Sequence, residues 1–447
     1  VDVEGVLSGR GGDRAVRGLL LGAGRGPLRA LLEAMAGEPG RVRACRLVRV
    51  QLKPGRKLTA YHDVLLAGDP RPVPVVVTWH RDGVPGGTAE RAAAGEVALR
   101  AAGLRTRLPR LWAVDRPRGM VVLAAPLDPA FPALARLSDP AQVPEMLARC
   151  GDAAPPAAGC SVRALRYRPG QRHVLEYRGA GGPRLFVKLY LPGAGAPVAG
   201  AVTALSALLE AAGVPGLHAV RPAAVLGDGD ALVYREVAGT PLSRALGAGR
   251  RPDPSLLEQV GLLLRTVHAA APGPPASLPH RDLATEVRTV GRACEAMAAL
   301  RPDLGALAAV TVERAWRGIA ALEQEPDTTL HGDLKADHLL WGPGGLQVLD
   351  IDRCSYGDPA YDLGKMLADL RFWGAVTGSP AAAGAELAVL AAYAAERPRL
   401  ARARLYAALL LVRMAARRVP LWRAGWGPRT AGLLASAVRA VDAEAAA

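Results

Sequence analysis

Leu19, Leu20, Leu28, Leu31 and Leu32 recur at helical spacing over Ala15 to Ala36, broken by GAGRGP, which predicts two short helices. From Cys45 the period changes. CRLVRVQLKPGRKLTAYHDVLL reads as strand, Pro-Gly turn and strand, VPVVVTWH reads as a third strand, and a helix through Ala89 to Ala102 stops at Gly103. The order then recurs. CSVRALRYRPGQRHVLEYR (Cys160 to Arg178) is strand, Pro-Gly turn and strand, RLFVKLY (Arg184 to Tyr190) is a third strand, and a helix from about Ala199 to Ala212 stops at Gly213.

Cys45 and Cys160, Pro54 and Pro169, and Gly55 and Gly170 are each 115 positions apart; Thr78 and Lys188, and Gly103 and Gly213, are each 110 apart. One length change between hairpin and third strand accounts for both offsets, so the pattern predicts a duplicated unit. GDAAPPAAG, Gly151 to Gly159, reads as the linker between copies. After ALVYREVAGTPL helical periodicity dominates: Pro254 to Ala269, Glu286 to Leu300, Leu304 to Glu323, Ala381 to Ala395 and Ala401 to Val419. The organisation expected is an N-terminal helical segment (1–40), a first β-rich unit (41–150), a second (160–245) and a helical region (246–447). A β-rich small lobe joined to a helical large lobe would leave a cleft between them, a usual ligand site.

Composition narrows the class. Half of the 447 residues are hydrophobic and 22% are charged, as in a globular chain rather than a disordered one. The formal charge of +15 invites a nucleic-acid reading. Nearly all the bases are arginine, however, with only Lys53, Lys57, Lys188, Lys335 and Lys365 as lysines, and with the Ala, Gly and Pro excess this has the look of a GC-rich coding bias. Aromatics are 4% and none interleave with a basic run, which argues against nucleic acid as a partner. Five cysteines, an odd count without CxxC spacing, point to a reduced, cytoplasmic protein. No signal-peptide pattern opens the sequence, and apolar runs such as LYAALLLV end at Arg413, short of a membrane span, so no membrane partner is expected.

The chemistry sits in LHGDLKADHLLWGPGGLQVLDIDRCSYGDPAYDLGKMLADL, Leu330 to Leu370. Asp333 lies on a tight loop, Lys335 follows two residues later and His338 five later, and a short hairpin leads to Asp350 and Asp352. Phosphoryl transfer needs a carboxylate beside the acceptor hydroxyl and carboxylates to hold a metal on the nucleotide phosphates; two acidic loops joined by a hairpin can supply both. In its ordered motifs this stretch resembles the catalytic core of aminoglycoside and other small-molecule phosphotransferases with a protein-kinase-like fold, whose signature runs HxDxxxxN, a hairpin Asp, then GDPxxDL.

The resemblance covers about Ser161 to Val419. It implies an α+β, bilobal protein-kinase-like fold, with a β-rich small lobe and a helical large lobe, preceded here by a second, degenerate small-lobe-like unit. It implies Asp333 as catalytic Asp with Lys335 contacting the transferred phosphate, Asp350 as metal ligand, and His331, Asp358 and Asp362 as structural members of the motif, Asp362 bracing the catalytic loop. In the second copy it implies nucleotide contacts from Pro169 and Gly170 of the hairpin turn, from Lys188 on the third strand, and from the hinge residues Arg235, Glu236 and Val237. The cofactors implied are ATP and Mg²⁺; the partner is a small-molecule hydroxyl acceptor.

Two departures stand out. His338 occupies the place of the family's metal-binding Asn; it is either a nitrogen ligand, which would bring in Mn²⁺, or a residue that hydrogen-bonds Asp333 or the loop backbone. The helix Glu that usually pairs the strand lysine is absent at Ala201 to Thr203, and Glu210 lies close to the helix end. The first copy has Thr78 in place of Lys188, and the side chains of Arg235 and Glu236 are expected to face solvent. Acidic residues Asp282, Glu286, Asp303 and Glu325 are candidates to meet a cationic acceptor. Two other functions stay in view: a kinase for a peptide or protein, suggested by Lys335 and the extra unit, and a nucleotide-binding pseudokinase regulator, suggested by His338 and the missing Glu. Oligomeric state is not legible.

Overall fold

A computed structural model describes residues 3–151, 159–179, 184–227, 229–269 and 278–446. Most of the linker expected at Gly151 to Gly159 lies outside the described residues. Two compact units are resolved. One comprises Val1–Ala196, Pro222–Glu236 and Pro420–Arg423; the other comprises Pro197–Arg221, Val237–Val419 and Ala424–Ala447.

The first unit holds two five-stranded sheets. One is built from β1 (Val42–Lys53), β2 (Lys57–Leu66), β3 (Asp69–His80), β4 (Trp112–Asp115) and β5 (Met120–Ala124), in the spatial order β1-β2-β3-β5-β4. The chain continues through β6 (Ser161–Arg168), β7 (Arg172–Arg178), β8 (Arg184–Leu189), β9 (Leu217–Ala219), β10 (Ala224–Leu226) and β11 (Ala231–Arg235). Without β9 these make the second sheet, in the order β6-β7-β8-β11-β10, the same path as the first.

The two offsets seen in the sequence hold at most pairs of the hydrogen-bonded register, apart from a bulge that falls between Leu47 and Arg49 in one hairpin and between Ala164 and Arg166 in the other. Leu52 pairs with Leu58 and Tyr167 with His173; Thr59 pairs with Thr78 and Val174 with Lys188; His62 pairs with Val75 and Tyr177 with Leu185. Both hairpins turn on a glycine at positive φ, Gly55 at 67° and Gly170 at 68°, a conformation in which a Cβ is strained. Gly103 and Gly213, also at positive φ, stop the two helices Thr88–Ala101 and Gly195–Ala212. The sheets share a buried core in which Tyr61, Val76, Phe131, Leu134 and Leu137 join Tyr167, Leu175, Tyr177, Leu185 and Val187.

The second unit is mainly helical. Its helices include Pro254–His268, Leu283–Leu300, Pro302–Ala321, Ala360–Thr377, Ala381–Tyr393, Arg397–Arg418 and Trp426–Ala445. Ala360–Thr377 and Trp426–Ala445 were not foreseen from the periodicity. Ala360–Phe372 is buried almost all round, so the helix lacks the contrast between an apolar and a solvated face on which a periodicity reading relies. Short strands β12 (Thr240–Pro241), β13 (His280–Arg281), β14 (Thr328–Leu330), β15 (Leu339–Gly342), β16 (Gly345–Val348) and β17 (Ser355–Gly357) form two small sheets, ordered β12-β15-β16-β9 and β13-β17-β14. The helix Gly195–Ala212 has the length and hydropathy of a membrane span, which the sequence reading passed over. A core helix passes the same test, and Val202, Leu205 and Leu209 on it are buried.

Candidate active site

Residues 331–338 connect β14 to β15, and the β15–β16 hairpin returns the chain to Asp350 beside that loop. The loop is pinned from beneath. Asp362, fully buried, accepts the backbone N–H of His331 at 2.5 Å and of Gly332 at 2.9 Å. Gly332 has φ +76°, and a Cβ there would lie 1.9 Å from the Arg353 carbonyl oxygen, so this close backbone approach admits only glycine. Burial alone would raise the Asp362 pKa; His268, His331 and the Gly332 amide outweigh it and lower it, which keeps a carboxylate available as a double acceptor.

A second brace was not foreseen. Asp369, also fully buried, accepts the Ala336 N–H at 2.8 Å and is paired with Arg418. His331 Nε2 lies 3.0 Å from the Leu349 carbonyl, and its Nδ1 accepts the Asp333 N–H at 3.3 Å. Asp358 caps the next helix, accepting the Ala360 N–H at 2.9 Å, and is held by Arg402.

On this frame Asp333 stands between two ammonium groups. Lys335 Nζ is 3.3 Å from Oδ2 and Lys365 Nζ is 3.3 Å from Oδ1. Burial would raise the Asp333 pKa, but Lys365 first and then Lys335, with His338 and His331, hold it well below the usual carboxylate range. Lys365 itself is buried, which lowers its pKa, against the opposing pull of Asp333 and Asp369. Sequence reasoning missed Lys365 and Asp369, although both fall on the Asp362 face of the helix at i+3 and i+7.

His338 Nε2 lies 3.0 Å from Asp350 Oδ2, and its backbone N–H bonds the Lys335 carbonyl at 2.9 Å. The imidazole meets Asp350, a partner that neither reading of His338 named. Burial, its largest influence, lowers the His338 pKa. Asp350 adopts φ +58°, a left-handed conformation uncommon for a residue with a side chain and a form of local strain that clusters at functional sites.

The predicted nucleotide contacts divide between the units. In the first unit, Pro169 and Gly170 form the β6–β7 turn, and Lys188 on β8 sits between Val174 and Leu232 with Nζ 5.2 Å from the centre of the Tyr234 ring. Arg235 and Glu236 do more than face solvent: Arg235 donates to the Cys150 carbonyl, and Glu236 accepts from Arg184 Nε at 2.8 Å. Val237 begins the longest segment of the second unit. The four acidic candidates all have protein partners. Asp282 caps the Leu283–Leu300 helix through Thr285, Asp303 binds Arg301, and Glu325 binds Arg399. Glu286 is buried against Arg281 and Arg413.

The sequence model of the phosphotransferase enzyme family matches residues 171–406, more than half of the chain. No curated protein sequence matches it. Among solved structures, an aminoglycoside-3'-phosphotransferase of type VIII is 23% identical, over 56% of this chain and 93% of its own, with a TM-score of 0.39. A macrolide 2'-phosphotransferase from Brachybacterium faecium is 15% identical, over 68% and 97%, with a TM-score of 0.41. A choline kinase from Cryptosporidium parvum Iowa II is 8% identical, over 64% and 90%, with a TM-score of 0.45.

Proposed function

Because the chain belongs to the phosphotransferase enzyme family, we propose that it moves the γ-phosphoryl group of ATP to a hydroxyl of a small molecule. The observation that carries this reading is the Asp333 carboxylate, held ionised between Lys335 and Lys365 on a loop fastened by Asp362 and Asp369. A carboxylate with so low a pKa is a weak base. It accepts the hydrogen bond of the acceptor hydroxyl, orients that oxygen, and takes its proton late, once the new O–P bond has formed and the γ-phosphorus to bridging-oxygen bond has broken to leave ADP. A loose transition state needs no stronger base. Lys335 and Lys365 neutralise charge at the transferring group, and Lys188 neutralises it at the α- and β-phosphates. Pro169 and Gly170 cover the nucleotide, and Arg235 to Val237 meet the base. On this reading 160–245 is the nucleotide-binding small lobe, 246–447 the catalytic large lobe, and 41–150 a degenerate small lobe.

A divalent cation, Mg²⁺ in the first place, supplies charge neutralisation on the phosphates when bound. Asp350 Oδ2 would offer it a hard oxygen donor, and His338 Nε2, now 3.0 Å from that oxygen, would add a nitrogen that favours Mn²⁺ over Mg²⁺ once released from this contact. Cys45, Cys294 and Cys354 are free thiols, and the protein is read as cytoplasmic.

A second reading, a nucleotide-binding regulator without transfer, is favoured by the same contact, since His338 occupies the carboxylate on which the metal depends. A panel of hydroxyl compounds, coupled to ADP detection, separates the two. Acceptor-dependent ADP release should appear and fall by ~10² to 10⁴ in Asp333→Ala, with MgATP binding kept. MgATP binding with no acceptor-dependent release across the panel would favour the regulator, and a variant retaining more than about a tenth of wild-type turnover would remove Asp333 from the mechanism.

A further inference from the structure

The transfer proposed above draws on no residue of the first sheet, yet the segment that leaves that sheet lies on the hairpin of the second. Beyond β5, Leu127 accepts a hydrogen bond from the Tyr167 hydroxyl through its carbonyl. Asp128 follows, buried. Its Oδ2 accepts the Gly170 backbone N–H at 2.8 Å and lies 2.8 Å from His173 Nε2, while its Oδ1 accepts the Ala130 N–H at 3.0 Å. His173 has no exposed surface; Phe131 meets its ring edge-on with centroids 4.5 Å apart, and Tyr167 lies at 5.2 Å. One carboxylate oxygen therefore holds both the left-handed glycine of the β6–β7 turn and a histidine just beyond it.

The matched turn of the first sheet is held differently. Gly55 donates its N–H to the Leu7 carbonyl at 2.8 Å, a neutral contact, and Leu58 stands where the second sheet has His173. Packing alone does not require a charge here, because a buried carboxylate costs far more than an apolar contact unless it is hydrogen-bonded, and this one is spent on the turn.

We infer that the first sheet unit acts as a built-in clamp, with Asp128 as a positioning residue that orders the Pro169–Gly170 turn for the nucleotide. The inference rests on the reading of that turn as a nucleotide contact. A turn already fixed in its bound conformation does not have to be ordered when the nucleotide arrives, and the gain appears as affinity.

The test measures MgATP binding by titration calorimetry on the full chain, without acceptor, together with amide exchange over Arg168–Arg172. Asp128→Ala should weaken MgATP about three- to tenfold and speed exchange at the turn. Asp128→Asn, which keeps an acceptor oxygen for Gly170, should lose less; it also stands in if the alanine variant does not fold. Tyr177→Phe removes another bond from the second sheet to the segment that follows the first, from the Tyr177 hydroxyl to the Leu137 carbonyl, and should lower thermal stability without changing MgATP affinity. Equal loss of affinity in Tyr177→Phe and the Asp128 variants would make the contact structural only and overturn the clamp, as would faster exchange at the turn with unchanged affinity. Lys188→Ala reports on the reading beneath. Binding lost there but unchanged in the Asp128 variants removes the clamp alone, whereas binding unchanged in Lys188→Ala removes the nucleotide site itself.

Discussion

The two five-stranded sheets follow the same path, in a register that differs only around one bulge of the first hairpin, and they differ in what they carry. Thr78 and Lys188 occupy one position, Leu58 and His173 another, Tyr61 and Glu176 a third, His62 and Tyr177 a fourth. Glu176 is buried beneath Arg163, Arg178 and Arg184, whereas Tyr61 meets the neutral side chains of Gln51 and Gln171. Alternation, a left-handed glycine in the turn and a glycine stop after the helix are enough to reproduce the topology, and none of them involves a functional group. Chemistry resides in single side chains that the topology neither requires nor excludes, so on the function proposed here one sheet meets the nucleotide and the other does not.

The largest effect that sharpens this contrast is at the matched third-strand position. Lys188→Ala should lower kcat/KM for ATP by ~10² to 10³, while Thr78→Ala should leave it within about twofold. Steady-state kinetics on both variants decides, and equal losses would mean that the first sheet also meets nucleotide.

Acid should separate the sheets next. Burial pushes the His62 pKa down to about 4, against a smaller opposing bond to Ala60. The unfolded chain takes up this proton near pH 6.5 and the folded one only near 4, so the stability His62 contributes is fully present above about 6.5 and declines as pH falls toward 4. The loss should reach about 2 kcal/mol by pH 5. Tyr177, at the matched position of the second sheet, is pushed upward by burial and does not titrate there. Thermal midpoints from pH 7 to 4.5 should fall less steeply in His62→Gln than in the wild type; parallel slopes would show that His62 is not held neutral.

The smallest effect is at the turns. Gly55→Ala and Gly170→Ala should each cost about 1 kcal/mol of stability, since both force a side chain into left-handed backbone. Only Gly170→Ala should also raise KM for ATP. A rise in both would break the contrast, and a rise in neither would take the β6–β7 turn off the nucleotide.

Much of this was legible in the chain. Offsets of 115 and 110 predicted the paired register because a hairpin's register follows from its turn and its alternation, both local. The order HGD, hairpin Asp, GDP located Asp333, Asp350 and Asp362 because a tight loop, a hairpin and a helix start are written over a few residues each. Local pattern could not name what reaches that loop from elsewhere. Lys365 and Asp369 share the Asp362 face of a helix buried almost all round, and Lys365 meets Asp333 from 32 positions away while Asp369 meets Ala336 from 33. The same holds for Asp128, whose partner Gly170 lies 42 positions on. Periodicity and turns encode which elements form and in what order. Which buried charge faces which loop is settled only when those elements pack, because the cost of burying a carboxylate or an ammonium is offset by partners that tertiary structure alone brings within 3.3 Å.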